Sequence, residues 1–448
     1  MEITVQKFGG TSVANADSMQ KVFEIVQSTS GKRIVVLSAS AGITDLLVTI
    51  TEVCLEQETK FTEIFDAIEK HHLKLVIELF KEPEKSAICI KTINFLLQSL
   101  RQLIEGARIL DELTDKIKAE ILSYGEILST NIFYQYALSR GLNAFLLDAR
   151  EIIETDNYHM KAKPNLNKIE QNSEKIHKIF NYHDVIITQG FIGNWCKETT
   201  LLGRGGSDFS ASLFGYGVKA KEIQIWTDVD GIMTTDPRIV NSAKVIEDIT
   251  IDEVAELSFF GAKVLHPDTI KPAVNKEIPI KVLNTFNTGS LGTTILQNSI
   301  ISPTASSINS LHLVKGCFLI SKKLDINSKE PCHYYQMLKD NFSKVFFFSF
   351  NSNNIKSIVK DCKFIDCETI FWSESFSYKI IDIVALFGNN LNALEIDIKN
   401  KVDTIIMKFK NELENIFPLF LSNNTILLLF KENKGEKVLG QIHSILFD

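Results

Sequence analysis

The chain has 448 residues, with 48 Lys and Arg against 55 Asp and Glu and a formal charge of −7. At roughly 100–200 residues per domain that length suggests several domains, and the acidic balance speaks against a nucleic-acid binder, which usually carries a basic excess or stripe. The apolar runs at 345–350 and 425–430 are far shorter than a membrane span. The start of the chain has no signal-like apolar stretch, and seven cysteines without a CxxC pair fit free thiols in a reducing cytoplasm rather than structural zinc.

Residues 3–8 and 33–38 read as short strands rich in Val and Ile. Between them, 16–29 has a helical stripe of Met19, Val22, Phe23, Ile25 and Val26. Strand, helix and strand in that order predict parallel pairing through a right-handed crossover. Helical periodicity then dominates 46–55, 61–79, 90–110 and 117–139, before strand signals return at 144–147, 184–188, 222–226 and 280–283. Residues 1–290 therefore form one α/β unit with a helical excursion near its start. Residues 284–310, rich in Asn, Ser, Thr and Gly, read as a linker or a set of short edge strands. Beyond them, strands (344–350, 380–387, 425–431) alternate with helices (333–341, 404–415, 436–447). This gives a second region, 291–448, of α+β character, whose element count suits two βαββαβ units meeting near 380.

Four segments concentrate glycine, charge and hydroxyls at strand ends. Lys7-Phe8-Gly9-Gly10-Thr11-Ser12 leaves the first strand. Adjacent glycines let backbone N–H groups approach a phosphate, a following helix start adds positive potential, and Lys7 can reach the same anion. Taken alone, a Gly-Gly turn after a strand is more often plain turn chemistry, and the P-loop spacing is absent. Gly203-Arg204-Gly205-Gly206-Ser207-Asp208 fails as a dinucleotide fingerprint because an Asp stands where the last glycine belongs. It suits an anion cradle whose Arg grips a carboxylate; Ser207 or Asp208 as a helix N-cap is the structural alternative. Thr227 to Arg238 (TDVDGIMTTDPR) gathers three acids, three threonines and an Arg after a strand, as a ligand-binding loop or an ordinary surface turn would. Phe260 to Pro267 places Lys263 in an apolar stretch, where its burial calls for an anion. Ser38 to Asp45 ends the second strand, and Tyr124-Gly125-Glu126 interrupts a helical run with a glycine.

Taken in order, KFGGTSV, LSASAGITD, YGEILST, TQGFIG, GRGGSD, TDVDGI-x-TTDPR and FGAKVLHP resemble the signatures of the amino acid kinase family, and within it the aspartokinases. The resemblance covers about residues 1–290. LSASAGITDLLV and the closing QIHSILF are most similar to the monofunctional, lysine-sensitive branch. It implies a three-layer α/β sandwich with a mainly parallel sheet, followed by ACT-like regulatory units. It also implies ATP-dependent phosphorylation of the β-carboxylate of L-aspartate to 4-phospho-L-aspartate, with Mg²⁺ carried on the nucleotide.

Carried over by motif position, Lys7, Asp208 and Lys263 are the expected catalytic residues. Thr44, Glu126, Arg204 and Ser207 are expected at aspartate, Arg204 on the α-carboxylate and Glu126 on the α-ammonium. Lys7, Phe8, Gly9, Gly10, Thr227, Asp228, Met233, Arg238, Lys263 and Val264 are expected at ATP. The chemistry agrees: an ionised carboxylate needs no general base, only relief of its repulsion from the γ-phosphate. One ammonium about 4 Å from a unit anion contributes on the order of 4 kcal/mol at an effective dielectric near 20. Met233 departs from the tyrosine common in relatives, and 194–202 is short. In the tail, 324–337 (LDINSKEPCHYYQM) lacks the expected glycine and carries Pro331 and two tyrosines, so an ACT-like fold with weakened, altered or lost lysine inhibition is expected. A homodimer or dimer of dimers through the tail is also implied. Two other classes compete: a kinase for another acid such as N-acetylglutamate or uridylate, and a non-catalytic amino-acid binder. Against the first, GRGGSD with YGE suits a free amino acid; against the second, every charged site residue is present.

Overall fold

The computed structural model describes residues 2–56, 58–262, 264–297, 307–323, 331–350, 354–362, 376–389, 391, 396–414 and 418–448. The chain divides into two compact units that exchange segments. One comprises 1–232, 247–251 and 265–298; the other comprises 233–246, 252–264 and 299–448.

The first unit opens with β1 (Ile3–Phe8), α1 (Ala16–Ser28) and β2 (Lys32–Leu37), with β1 and β2 parallel as expected. A single 3₁₀ turn, 10–13, separates β1 from α1, whose first turn is capped by Asn15 accepting from Ser18 N at 2.9 Å. Four helices follow: α2 (Ile43–Val53), α3 (Glu58–Leu79), α4 (Pro83–Leu110) and α5 (Asp115–Ser139). Then come β3 (Ala144–Leu147), α6 (Leu166–Asn172), α7 (Glu174–Ile179), β4 (Val185–Gln189), β5 (Ile192–Trp195), β6 (Glu198–Leu201), α8 (Gly206–Val218) and β7 (Glu222–Thr227). The unit is completed by β8 (Asp248–Thr250), α10 (Pro267–Val274), β9 (Ile280–Asn284) and β10 (Thr293–Leu296), whereas α9 (Ile251–Phe259), between β8 and α10, belongs almost wholly to the second unit.

The main sheet runs β3-β4-β2-β1-β7-β9-β10-β8, parallel throughout except that β10 is antiparallel to β9. Side-chain alternation sends Val5, Ile223 and Ile225 towards α8, and Gln6, Phe8 and Trp226 towards α1. Helices on both faces make the sandwich that the resemblance implied. The β5–β6 hairpin, absent from the periodicity, turns through Cys196 and Lys197, both with positive φ. Such turns are usually signalled by Asn-Gly, and here that signal is missing.

The second unit is built on one antiparallel sheet, β12-β13-β11-β14-β16-β15. Its strands are β11 (Ser307–Lys323), β12 (Phe342–Phe350), β13 (Asn354–Cys362), β14 (Phe376–Asn389), β15 (Leu419–Ser422) and β16 (Thr425–Lys431). The helices are α11 (Pro331–Asn341), α12 (Ile396–Lys408) and α13 (Gly435–Phe447). This is the antiparallel sheet with helices characteristic of ACT-like units. One apolar cluster joins Leu311, Val384, Ile405 and Leu428 to Leu439 and Ile442; a second joins Ile320, Tyr334, Leu338, Ile355 and Val359.

The helix expected over 404–415 is found at 396–408 instead. Beyond it the backbone is captured by the sheet edge, where Leu413 bridges Phe430, Glu414 N donates to Leu429 O and Lys431 N donates to Glu412 O. Glu412 N and Leu413 N still donate to Phe409 O, and from Glu414 onward the ladder bonds take over from the helical ones. Tyr334, expected near an effector, lies buried in the second apolar cluster; residues 324–330 of that stretch are outside the described residues.

Candidate active site

Lys7 is the last inward-facing residue of β1 on the α8 side, and it is buried. Its Nζ lies 2.8 Å from Asp208 Oδ1. Asp208 comes from the first turn of α8, where a negative charge is favoured by the helix dipole. The N-cap of that helix is Gly205 in a left-handed conformation. Ser207 and Asp208 are therefore the second and third helical residues, and the capping alternative for them is discarded. Arg204 stands exposed between two glycines of positive φ, with no ion pair among the described residues.

Close approaches explain the glycines of two motifs. A Cβ on Gly190, at the end of β4, would lie 2.6 Å from Ser207 Cβ. One on Gly125 would lie 2.9 Å from Ala39 Cβ. Gly125 thus brings α5 against the turn after β2, rather than merely interrupting a helix. Ser129, one turn further along, donates to Ser38 O at 2.6 Å and pins the same contact.

That contact delivers Glu126 to the turn. Glu126 is buried, and its Oε2 has no hydrogen-bond partner among the described residues. Burial pushes its carboxyl up to about 8; the Ala39 N–H, its own N–H and the Lys7 ammonium oppose the rise without cancelling it. Thr44, in the first turn of α2, is partly exposed behind the left-handed Gly42.

The turn after β1 is tightly held. Gly9 N donates to Trp226 O at 3.2 Å, Ala41 N to Gly10 O at 3.1 Å, and Ser38 N to Phe8 O at 3.2 Å. A Cβ on Gly10 would lie 3.0 Å from Ala39 O. The Phe8 ring, by contrast, is buried on the opposite sheet face, stacked on Trp226 with centroids 6.0 Å apart. Only its backbone faces the turn. Ser12 Oγ and Thr285 Oγ1, 2.7 Å apart and both buried, tie the turn to the end of β9; no sequence signal marked that pair.

Thr227 closes β7, and its hydroxyl donates to Asp228 Oδ1 at 3.1 Å. Met233 and Arg238 belong to the segment assigned to the second unit. Arg238 is exposed and forms a bidentate pair with Asp236, Nη2 to Oδ2 at 2.6 Å. Val264 is partly exposed, and Lys263 lies outside the described residues. The described residues of the first unit thus join Lys7 to Asp208 directly and place Glu126 beside the Ser38–Ala39 turn. Among the described residues, no hydrogen bond or ion pair joins Thr44 or Arg204 to that group. Among the described residues, no three His, Cys, Asp or Glu converge as a metal cage; the glycine turn beside Lys7 suits an ion that arrives on a nucleotide's phosphates.

The sheet thus carries a glycine turn and a buried lysine at its centre. A model of the amino acid kinase family matches residues 2–284, and the chain belongs to that family. Lysine-sensitive aspartokinase 3 of Escherichia coli (strain K12) is 42% identical over 285 residues, 63% of this chain and 61% of that protein. The match therefore spans less than two thirds of the relative's length. Aspartokinase 2, chloroplastic, of Arabidopsis thaliana is 29% identical across 99% of this chain and 84% of its own. The crystal structure of E. coli aspartokinase III with lysine and aspartate covers 100% of both chains at a TM-score of 0.83 and 29% identity.

Proposed function

We propose that the chain transfers the γ-phosphoryl group of ATP to the β-carboxylate of L-aspartate, giving 4-phospho-L-aspartate and ADP. The observation that carries this is Glu126: a buried carboxyl with an unpartnered oxygen beside the Lys7 turn. A free α-ammonium would complete it and draw off its proton. N-acetylglutamate has no such ammonium and uridylate has neither ammonium nor carboxylate, so both competing substrates leave Glu126 without a cationic partner. Support also comes from E. coli aspartokinase III, whose structure in complex with aspartate and ADP matches this chain at a TM-score of 0.78 and 29% identity.

In this reading the aspartate β-carboxylate attacks phosphorus while the bond to the β,γ-bridging oxygen breaks, and the electron pair leaves on ADP. Lys7 neutralises the transferring group, and Asp208 holds its ammonium in place. The absence of a Cβ at Gly9 and Gly10 lets the turn approach phosphate oxygens, with the Gly10 N–H as donor and the Gly9 N–H kept on Trp226 O. Arg204 takes the α-carboxylate, with Ser207 and Thr44 lining the substrate. Thr227, Asp228, Met233, Arg238 and Val264 border the nucleotide, with Arg238 released from Asp236 or shared with it. Lys263 supplies the second cation. Mg²⁺ is held by phosphates and water. The assignment extends to residues 1–290 as the catalytic region and 291–448 as the regulatory region, to a cytoplasmic location, and to a homodimer or dimer of dimers.

A coupled assay of ADP release with L-aspartate, N-acetyl-L-glutamate and UMP tests the proposal. Turnover with aspartate alone is expected; turnover with either other acceptor and none with aspartate overturns it. Adding millimolar L-lysine to the same assay tests the tail, where weak or no inhibition is expected, and tight cooperative inhibition overturns that part.

A further inference from the structure

We propose that His443, in the last helix of the chain, is a positioning residue for the nucleotide, holding through Thr234 the segment that carries Met233 and Arg238. The proposal rests on the reading of those two residues as nucleotide contacts. Its observations are independent of any effector.

α13 buries Val438, Leu439, Ile442, His443 and Leu446. Four of these are apolar and join the core. His443 is fully buried among them, and a polar ring in such a place is unfavourable without partners. Its Nε2 lies 2.9 Å from Thr234 Oγ1, and its Nδ1 lies 3.4 Å from Ser242 Oγ. Both partners belong to the loop that begins just after β7, about two hundred residues away in sequence.

Thr234 has all its polar atoms committed. Its N donates to Lys244 O at 2.8 Å, its O accepts from Leu311 N at 2.8 Å, and its Oγ1 accepts from Lys244 N at 3.0 Å. With Lys244 N already donating to it, the hydroxyl can give its own hydrogen to His443 Nε2. That arrangement places the ring proton on Nδ1 and keeps the ring neutral, in agreement with burial, which lowers its affinity for a second proton. Around the node, Met233 bridges Val245, Lys244 Nζ donates to Phe447 O at 2.8 Å, and Val240 packs in the cluster that holds Leu439 and Ile442.

The loop is thus closed on itself as a hairpin, and the hairpin is fastened to α13 at one buried residue. Thr234 is covalently adjacent to Met233 and four residues before Arg238. A loop of this composition left untethered would sample many conformations and bind nucleotide only in some of them, which lowers apparent affinity by the competent fraction. The tether acts on binding of the nucleotide and leaves the bond-making step and the aspartate side alone.

Three variants separate this from a purely structural role: His443→Ala, Thr234→Val, which exchanges a hydroxyl for a methyl group, and His443→Gln, which keeps an acceptor near Nε2. ADP binding is measured by titration calorimetry in the absence of aspartate, and steady-state constants are measured where turnover is present. Losing the His443–Thr234 hydrogen bond, with the Ser242 contact in His443→Ala and the Lys244 N–Thr234 Oγ1 bond in Thr234→Val, is expected to weaken ADP binding and raise KM for ATP by about tenfold in the first two variants. kcat and KM for aspartate are expected to stay within about twofold, with His443→Gln largely restoring affinity. Unchanged ADP affinity in folded Thr234→Val overturns the proposal, as does a loss confined to kcat or to KM for aspartate. Should His443→Ala not fold, the two other variants still decide. Failure of the parent protein to turn over aspartate would count against the proposed reaction, while the calorimetric comparison would still judge the tether.

Discussion

The Lys7 ammonium and the Asp208 carboxylate meet at 2.8 Å across the junction of β1 and α8. Neither residue has its charge in bulk water, and each holds the other's orientation. A cation so placed keeps its position before any anion arrives, which is the condition for electrostatic stabilisation without reorganisation. Lys7→Met should therefore lower kcat by at least about a hundredfold, and because it leaves the Asp208 carboxylate unpaired it should lower thermal stability as well. Asp208→Asn should fall between the variant and the parent. Initial rates of ADP release, with melting curves alongside, check both; near-parental kcat in a folded Lys7→Met would remove Lys7 from the chemistry.

Glu126 makes stability depend on pH in a defined sense. Its carboxyl is raised from 4.5 to about 8. Between those values the folded protein retains a proton that the unfolded chain has lost, so this residue lowers stability progressively as pH rises through the window. Glu126→Gln should match the parent near pH 4.5 and melt increasingly above it up to pH 8. A stabilisation that shrinks with rising pH would contradict the burial.

Aspartate binding should show the complementary trend. The ligand's ammonium favours the ionised carboxylate, so aspartate affinity of the parent should rise as pH climbs towards 8. Titration calorimetry in two buffers of different ionisation enthalpy should detect a proton released on binding. Glu126→Gln should bind weakly and release none.

Gly125 predicts a rescue. A methyl group there would sit 2.9 Å from Ala39 Cβ and 3.4 Å from Leu47 Cδ1. Gly125→Ala should destabilise the protein by about 1–3 kcal/mol and raise KM for aspartate, because Glu126 moves with the helix. Adding Ala39→Gly should recover most of both losses; a double variant no better than the single would place the strain elsewhere.

Gly190 is less forgiving, because its added Cβ would meet the Ser207 backbone at 2.9 Å as well as its side chain. Gly190→Ala should displace the start of α8 and with it Asp208. A shift of that kind lowers kcat by tenfold or more, on the order of what small misplacements cause, and the loss should exceed any change in KM for ATP.

The parallel core and the Lys7–Asp208 pairing were legible because strand ends carry their chemistry locally: Lys7, Gly9 and Gly10 are consecutive or nearly so, as are Arg204 to Asp208. What the sequence could not display was contact across distance. Gly125 looked like an interruption in a helix until Ala39 was seen against it, and the Ser12–Thr285 and Thr234–His443 pairs join positions far apart in the chain. The helix at 396–408 was misplaced for a related reason. Leu413 still gives its N–H to Phe409 O, yet Glu412 and Glu414 on either side of it bond to β16, and from there the sheet edge outweighs local periodicity.

β11 pairs with β13 along one edge and with β14 along the other, over residues 318–323 and 307–322 respectively. The two halves of the C-terminal sheet consequently share a single spine. Five residues of that spine, 318–322, are paired on both sides at once, so neither half can unzip without exposing the backbone of the other. Amides along β11 should exchange with solvent as one late-opening group, and the two halves of this sheet should melt together instead of behaving as beads on a string.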